Sequence, residues 1–538
     1  MLSFVTYKTV AIIVRKWYNF EVYIFYIATE IFVKLIISFE RKDFMLKIST
    51  FEKKFIDSEG RERIFNGVNL CDKGYQKNPG DKRKTYLLDY DENLISTLSE
   101  NGFNIVRLGL TWDAVEPEPE KYDEEYLDKV QKVADLCEKY GIYFYLDMHQ
   151  DLYGGTVDTP ADGAPAWACL TNGAKFKPTR LVWAEGYFWG KAIHNCFDNF
   201  WADKEYNGKP LQTYFCNMWK HVAERFKDHP ALFGFDLLNE PFPGTDGGKV
   251  FRKLIAGVAK TVLTDKRCKK GWMLKQLLSG NAIRCLEPFN DPTLFRKVTS
   301  SGDELIRKFD MGHYSKFINK TAKAIREVTD NGIIIMENSY YSNLGIPYSA
   351  PAVNYNGEQE KKLCFAPHAY DLMVDTPAYK YASNSRVGSI FDEHKRSQER
   401  LGIPVIVGEW GGHSEGTDWL YHIEYLLDKF DSNRWGHTYW AYYDGMLDNP
   451  IMTCLRRTAP VAVCGSITEY SFDRENNVFT LAYEQDKEYS VPTEIYLHKS
   501  AKSIECDGEY ELSPIGENGA AMLRITADKG NHKVTIKF

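Results

Sequence analysis

The sequence predicts an α/β chain: a (β/α)8 TIM barrel followed by a small C-terminal antiparallel β-sandwich. Three observations predict it. From about residue 47, short apolar runs alternate with amphipathic stretches of helical spacing, the pattern of parallel strands joined by crossover helices. Two of the runs, Asp236-Leu-Leu-Asn-Glu-Pro241 and Pro404-Val-Ile-Val-Gly-Glu-Trp-Gly411, each deliver one glutamate at the C-terminal end, 169 residues apart. Strand ends on that face of a barrel carry the reacting groups. From about Ile467 the apolar period drops to two and turn-rich spacers appear, as in a small sandwich.

The elements follow in order. Residues 64–70 form the first predicted strand and 104–109 the second; between them, residues 91–101 have helical spacing and stop at Gly102. Residues 123–140 form a second helix, closed by Gly141 ahead of strand 142–148. A third helix, 212–227, precedes strand 233–238, and a long helical stretch, 303–329, precedes strand 333–336. Residues 364–367, 405–407 and 436–442 complete eight strands. Five more runs, 468–472, 478–483, 493–497, 522–525 and 533–538, form the sandwich, with no Pro-, Gly- or Ser-rich linker before it. The predicted domains are therefore 47–462 for the barrel and 463–538 for the sandwich, rigidly docked.

Residues 1–46 form a separate extension. Residues 18–39 are dense in Ile, Phe and Tyr but carry Glu21, Glu30 and Lys34, each costly at mid-bilayer. The stretch lacks the compact core and small-residue cleavage site of a signal peptide. Leu46-Lys-Ile-Ser-Thr-Phe51 and Phe55-Ile-Asp-Ser-Glu-Gly60 read as the opening hairpin of a globular enzyme, so Met45 is the expected biological start, with a weak membrane segment or a poor signal as alternatives. A cytoplasmic location is expected, with membrane association or secretion as alternatives.

Composition excludes some classes. A net charge of −7 in 538 residues leaves no basic footprint for nucleic acid. Eleven cysteines, an odd number without paired CxxC spacing, argue against a disulfide framework or a zinc ribbon and favour a reducing compartment. The 34 Tyr, 31 Phe and 12 Trp residues fill a large core and also suit sugar faces or lipid chains.

Two segments exceed ordinary connection lengths. Residues 149–205, holding Trp167, Trp183, Trp189 and Trp201, follow the third strand, and lysine-rich 241–302 follows the fourth. Both are expected to wall a cleft on the active face, and the aromatic loading of the first predicts an apolar aglycone side.

Two carboxylates converging at strand ends are what glycoside cleavage needs, one to protonate the leaving oxygen and one to attack or activate water. Other polar residues fall at the same ends. Arg107 could hold a nucleophilic carboxylate ionised. Asp147 and His149 close the third strand, and Asn239 stands where a sugar 2-hydroxyl would lie. His368 and Tyr370 follow the sixth strand, Trp440 closes the eighth as a stacking platform, and Lys73 lies just past the first. No His/Cys cluster calls for a metal, and no cofactor is expected.

Asn239-Glu-Pro241 and Gly408-Glu409, with Arg107, His149, His368, Tyr370 and Trp440, resemble glycoside hydrolase family five of clan A. Asp147-Met-His-Gln-Asp-Leu-Tyr-Gly154 and Asp162-Gly-Ala-Pro-Ala-Trp-Ala168 resemble its endoglycoceramidase branch, from about Phe51 to the C-terminus. The resemblance implies Glu240 as acid/base, Glu409 as nucleophile and retained anomeric configuration. It also implies that Lys73, Asp147, His149 and Asn239 contact the first sugar. The implied substrate is a glycosphingolipid cut between glycan and ceramide, with passing contact to a lipid surface. The alternatives are an endo-β-1,4-glucanase or mannanase on the same scaffold, an exo-acting β-glucosylceramidase, and, remotely, a dead sugar-binding protein. Two features depart from the pattern: Trp410 follows the nucleophile where Phe is commoner, and the signal peptide of secreted bacterial members is missing.

Overall fold

The computed structural model describes residues 45–77, 83–154, 161–177, 182–355 and 357–538; the expectations for residues 1–44 lie outside these. The eight barrel strands are Asn66–Cys71, Ile105–Thr111, Tyr143–His149, Leu232–Asp236, Ile333–Glu337, Leu363–Ala366, Ile406–Val407 and Gly436–Tyr439. Each overlaps its predicted run. They form one parallel sheet in the order six-five-four-three-two-one-eight-seven. A bridge between Phe365 and Val405 and a short parallel pairing of His368 with Glu409 close the ring between strands six and seven. Closure leaves no open edge and brings all eight strand ends to one mouth.

The helices form for ordinary reasons. Asp91 and Asp123 cap Glu92–Glu100 and Glu124–Lys139 by accepting from the backbone N–H groups of Leu94 and Tyr126. Leu127, Val130, Val133 and Ala134 line one buried face of the second helix. Each such side chain contributes about 1.5–3 kcal/mol by leaving water, which outweighs helix propensity. The long predicted helix 303–329 is continuous but not uniform. Asp303–Phe309 and Ser315–Arg326 are joined by a π turn, Asp310–Tyr314. That extra residue turns Tyr314 inward, where its hydroxyl donates to the Glu337 carbonyl at 2.8 Å, anchoring the end of strand five.

The sandwich draws on both ends of the chain. Its larger sheet pairs the hairpin Ile48–Phe51/Lys54–Asp57 and the short strand Glu62–Arg63 with Ala459–Val463, Thr493–Leu497, Ala520–Thr526 and Glu509–Ile515. The smaller sheet holds Ser466–Asp473, Val478–Gln485, Gly530–Lys537 and Ser503–Glu505. Ile64 joins Tyr470, Phe479, Leu481, Leu523 and Ile536 in the core between them. The hairpin also seats Phe55 against Phe65 and Phe233, ring centres 5.6 and 5.2 Å away, at the base of the barrel. The buried Arg457–Asp431 pair and the bond from Tyr496 Oη to the Glu100 carbonyl (2.8 Å) link the sandwich to barrel helices. Strand Glu509–Ile515 escaped sequence detection because it is an exposed edge strand with no alternating apolar face.

Both long segments are helical excursions on the mouth side, the first carrying Glu185–Trp189 and Lys191–Trp201, the second Thr245–Thr264, Lys270–Leu278 and Pro292–Thr299. The four tryptophans divide. Trp201 is buried against Phe309 and Phe317, and Trp167 packs on Trp112 and Tyr214, so these two build the excursion's own core rather than a cleft wall. Trp183 donates its indole N–H to Asp375 at 2.9 Å, tying this excursion to the segment after strand six. Trp189 stays exposed beside Phe251 of the second excursion.

Candidate active site

Register builds the site. Arg107 lies opposite Asn69 on strand one and Tyr145 on strand three. Asp147 lies opposite Asp236, which lies opposite Ile335. Two residues further on, the two-residue period of the strand points Glu337 into the same layer. The result is a fully buried guanidinium at the centre of four carboxylates: Asp147 (2.9 Å), Asp236 (3.1 Å), Glu337 (2.6 Å) and Glu409 (2.7 Å). Arg107 also donates to the side-chain oxygens of Asn69 (3.0 Å) and Asn239 (2.8 Å). A cation held on all sides cannot swing away, so whatever it touches is oriented with it.

Glu409 is touched on both oxygens. Oε1 accepts from Arg107 and Oε2 from the Tyr370 hydroxyl at 2.9 Å, a fixed, doubly hydrogen-bonded carboxylate. The glycine before it is required by space, since a Cβ on Gly408 would come within 2.6 Å of His368 Nε2. Trp410 points the other way and packs on Phe430 and Tyr439, so the departure at this position lies in the outer core and not in the pocket.

Glu240 stands across from it, with one oxygen of each glutamate within 4.8 Å of the other and of a His368 nitrogen. Its backbone adopts φ +42°, a left-handed conformation that costs a non-glycine residue about 1–3 kcal/mol. Its N–H, held by Glu337 Oε2 at 2.7 Å, helps keep it there. Oε1 accepts from Asn343 and faces His368 Nδ1 at 3.2 Å, which leaves Oε2 to carry a proton into the pocket.

Burial and neighbouring charges shift several groups of this layer. Burial raises the Glu240 carboxyl; His368 pulls it down and Glu409 pushes it back up, leaving it at about 7. Burial also opposes ionisation of Glu337, but the charges of His368 and Arg107 prevail and hold it at about 2. Asp236, buried and facing Glu337, is held well above the usual carboxylate range. Burial disfavours the His368 imidazolium, yet Glu337, Glu409 and Glu240 around it keep it well above its ordinary value. The layer therefore places one poised acid, Glu240, beside Glu409, whose two oxygens are held by Arg107 and Tyr370.

A second polar group forms the adjoining wall. His149 Nδ1 bonds Asp147 at 2.8 Å, and its ring stacks on Trp440 with centres 5.1 Å apart. Lys73 pairs with Asp151, reaches Asp162 at 3.6 Å and lies 4.9 Å over the Trp440 ring. Asn239 Nδ2 donates to the Gln150 carbonyl at 3.1 Å, leaving its second N–H available. All ten predicted site residues thus meet at one mouth. The carboxylate groups that resemble metal ligand sets already hold cations: Lys73 with Asp151 and Asp162, and Arg107 with Asp147, Asp236 and Glu337.

Glu337, Asp236, Asp151, Asp162 and Asn343 were not singled out by sequence. Glu337 obeys the rule that exposed the other two glutamates, an acid closing an apolar strand (Ile333-Ile-Ile-Met-Glu337), and could have been found by it. Asn343 had no local signal. On the acid's side, Tyr340, Tyr187 and Phe242 form an aromatic group, with Tyr187 4.6 and 4.5 Å from the other two ring centres.

A model of the family described as Cellulase (glycosyl hydrolase family 5) matches residues 57–267 and 299–445, and one of the glycoside hydrolase family 5 C-terminal domain matches 457–537. An endoglycoceramidase of Hydra vulgaris is 25% identical over 498 residues, 84% of this chain and 80% of that one. Endoglycoceramidase I of Rhodococcus hoagii is 24% identical over 504 residues, 90% and 86% of the two chains. The fold is similar to endo-glycoceramidase II from Rhodococcus sp., solved as a ganglioside GM3 complex, with TM-score 0.67, 22% identity, and 90% of this chain and 99% of that chain covered. The same protein solved as a lactosyl-enzyme intermediate gives TM-score 0.67 at 23% identity, covering 90% and 98%.

Proposed function

Because the chain belongs to glycosyl hydrolase family 5, we propose that Glu409 is the nucleophile and Glu240 the acid/base of a retaining glycosidase that separates glycan from ceramide in a glycosphingolipid. Retention requires carboxyls about 5–5.5 Å apart, close enough for direct attack, whereas inversion leaves about 6.5–9.5 Å for a water. Oxygens within 4.8 Å support the first. Glu409, braced by Arg107 and Tyr370, attacks the anomeric carbon while Glu240 passes its proton to the leaving oxygen. Once Glu409 is an ester its charge is gone. The push on Glu240 from that charge disappears, and Glu240 then takes a proton from the attacking water. Lys73, Asp151, His149 and Trp440 offer donors, acceptors and a ring face to the sugar, and Asn239 offers its free N–H to the 2-hydroxyl.

The ceramide reading is carried by the near-full-length endoglycoceramidase relatives, and the rings beside Glu240 accord with it. The Trp440 side is charged, whereas beside Glu240 the half-buried Tyr340 ring is backed by the fully buried Tyr187 and Phe242. The neighbour's ganglioside complex supports the reading as well. Each buried methylene contributes about 0.8 kcal/mol, so two suffice for more than tenfold. The expected result is a kcat/KM for a glycosylceramide more than tenfold above that for the same glycan on a short alcohol. Glucosylceramide run beside a longer-glycan ceramide separates exo from endo action. Equal values on lipid and short alcohol, with efficient cleavage of cellulose or mannan, would reject the lipid aglycone and leave the two glutamates in place.

A further inference from the structure

The second excursion carries features that the pocket does not use. Residues 245–290 hold ten Lys and Arg against three Asp and Glu, a net +7 within a chain of net −7. Its ion pairs use Lys249, Arg267 and Arg284. Among the described residues, Lys253, Lys260, Lys266, Lys269, Lys270 and Lys275 are exposed and carry no ion pair.

The same stretch exposes large apolar side chains. Leu278 is 80% exposed and Leu263 66%, with Ile255, Leu274 and Leu277 all above half. On helix Thr245–Thr264, Ile255, Val258, Ala259 and Leu263 follow at three- and four-residue steps along one outward strip, with Lys253 and Lys260 beside it. On the opposite face Gly257 lies against Val298 and Ser301, whereas Phe251, one turn before Ile255 on the same strip, stacks on Phe188 of the first excursion at 4.1 Å, with Trp189, 60% exposed, against it. Isolated exposed leucines are ordinary, but this many on one basic excursion are not.

We infer that this excursion is a membrane-docking element that seats the enzyme on an anionic bilayer, its leucines entering the headgroup boundary while the lysines pair with lipid phosphates and carboxylates. The charge selects the occupant, since apolar residues interleaved with unpaired lysines are the chemistry of an interfacial helix on anionic lipid. A second copy of this basic surface would meet its own charge. The placement fits as well, because the helix starts five residues after Glu240, the residue assigned to protonate the aglycone oxygen. In linking docking to turnover the inference rests on the ceramide reading; as a binding claim it stands apart from it.

The test is sedimentation of the full-length chain with vesicles of phosphatidylcholine alone or with about 30 mol% phosphatidylserine. Wild type is compared with Leu274→Ser/Leu277→Ser/Leu278→Ser and with Lys266→Glu/Lys269→Glu/Lys270→Glu. Wild type is expected to bind the anionic vesicles, more weakly at high salt, and each variant at least about tenfold more weakly. Hydrolysis of a soluble aryl glycoside should stay within about twofold of wild type, since these residues lie outside the pocket, while turnover of vesicle-borne glycosylceramide falls with binding. Failure of wild type to bind, or binding indifferent to both variants, overturns the inference. So does a wild-type dimer in analytical ultracentrifugation that the leucine variant abolishes, because the patch is then an interface between copies. Loss of docking with normal lipid preference in detergent micelles sinks the inference alone. Docking without lipid preference sinks the ceramide reading alone.

Discussion

Glu409→Ala is expected to lower kcat/KM by on the order of 10⁴-fold or more, the scale on which removing a nucleophile collapses a catalytic unit. The loss should be partly reversible. Alanine leaves a gap beside Arg107 and Tyr370, which previously bonded the two carboxylate oxygens, and these retain a preference for a small anion. Azide entering that gap attacks an activated glycoside from the face that Glu409 occupied, so the glycosyl azide forms with inverted configuration. Measuring rate against azide concentration and the anomeric form of the product checks both parts. Wild-type-like turnover in the variant would remove Glu409 from the mechanism.

The companion change, Glu240→Gln, should split substrates by leaving group. With a lipid alcohol, which must be protonated to leave, the expected loss is about 10²–10⁴-fold. With a dinitrophenyl glycoside, whose leaving group needs no proton, the bond-breaking step is spared, and the slow step becomes hydrolysis of the intermediate, which azide accelerates. The pH profile changes with it. In wild type the acid must be protonated, so kcat/KM is full below about 7 and falls about tenfold per pH unit above it, as Glu240 ionises. Glutamine cannot titrate, so that alkaline limb disappears in the variant. A wild-type profile flat from pH 6 to 9 would show that burial and Glu409 do not tune Glu240 as the geometry implies.

Legibility differed by level. Barrel strands buried on both faces read as short apolar runs between helices, so Ile333–Glu337 and Leu363–Ala366 could be placed from local composition alone. Glu240 and Glu409 were visible because they end such runs. What composition cannot express is pairing at a distance. That Glu62–Arg63 joins Ala459–Val463 in the sandwich depends on contacts some 400 residues apart, and nothing local marks it. The Arg107 layer was half legible: the cation could be read and Glu337 closes an apolar run as the other two glutamates do, but that Asp236 and Glu337 both meet Arg107 emerges only from register. The aromatic loading of residues 167–201 misled for a physical reason. A long excursion needs a core of its own, and Trp201 and Trp167 supply it, so only Trp183 and Trp189 remain for the surface.

The central claim is that Glu409 becomes covalently bound to the sugar. A 2-deoxy-2-fluoro glycoside with a good leaving group slows both steps but the second more, so the intermediate accumulates. Intact mass followed by peptide mapping should show one glycosyl unit per chain, carried by the peptide containing Gly408-Glu409-Trp410 and released on transfer to an acceptor. Label on another carboxylate, such as Glu337, or stoichiometric turnover with an inverted product and no labelled protein, would contradict the account.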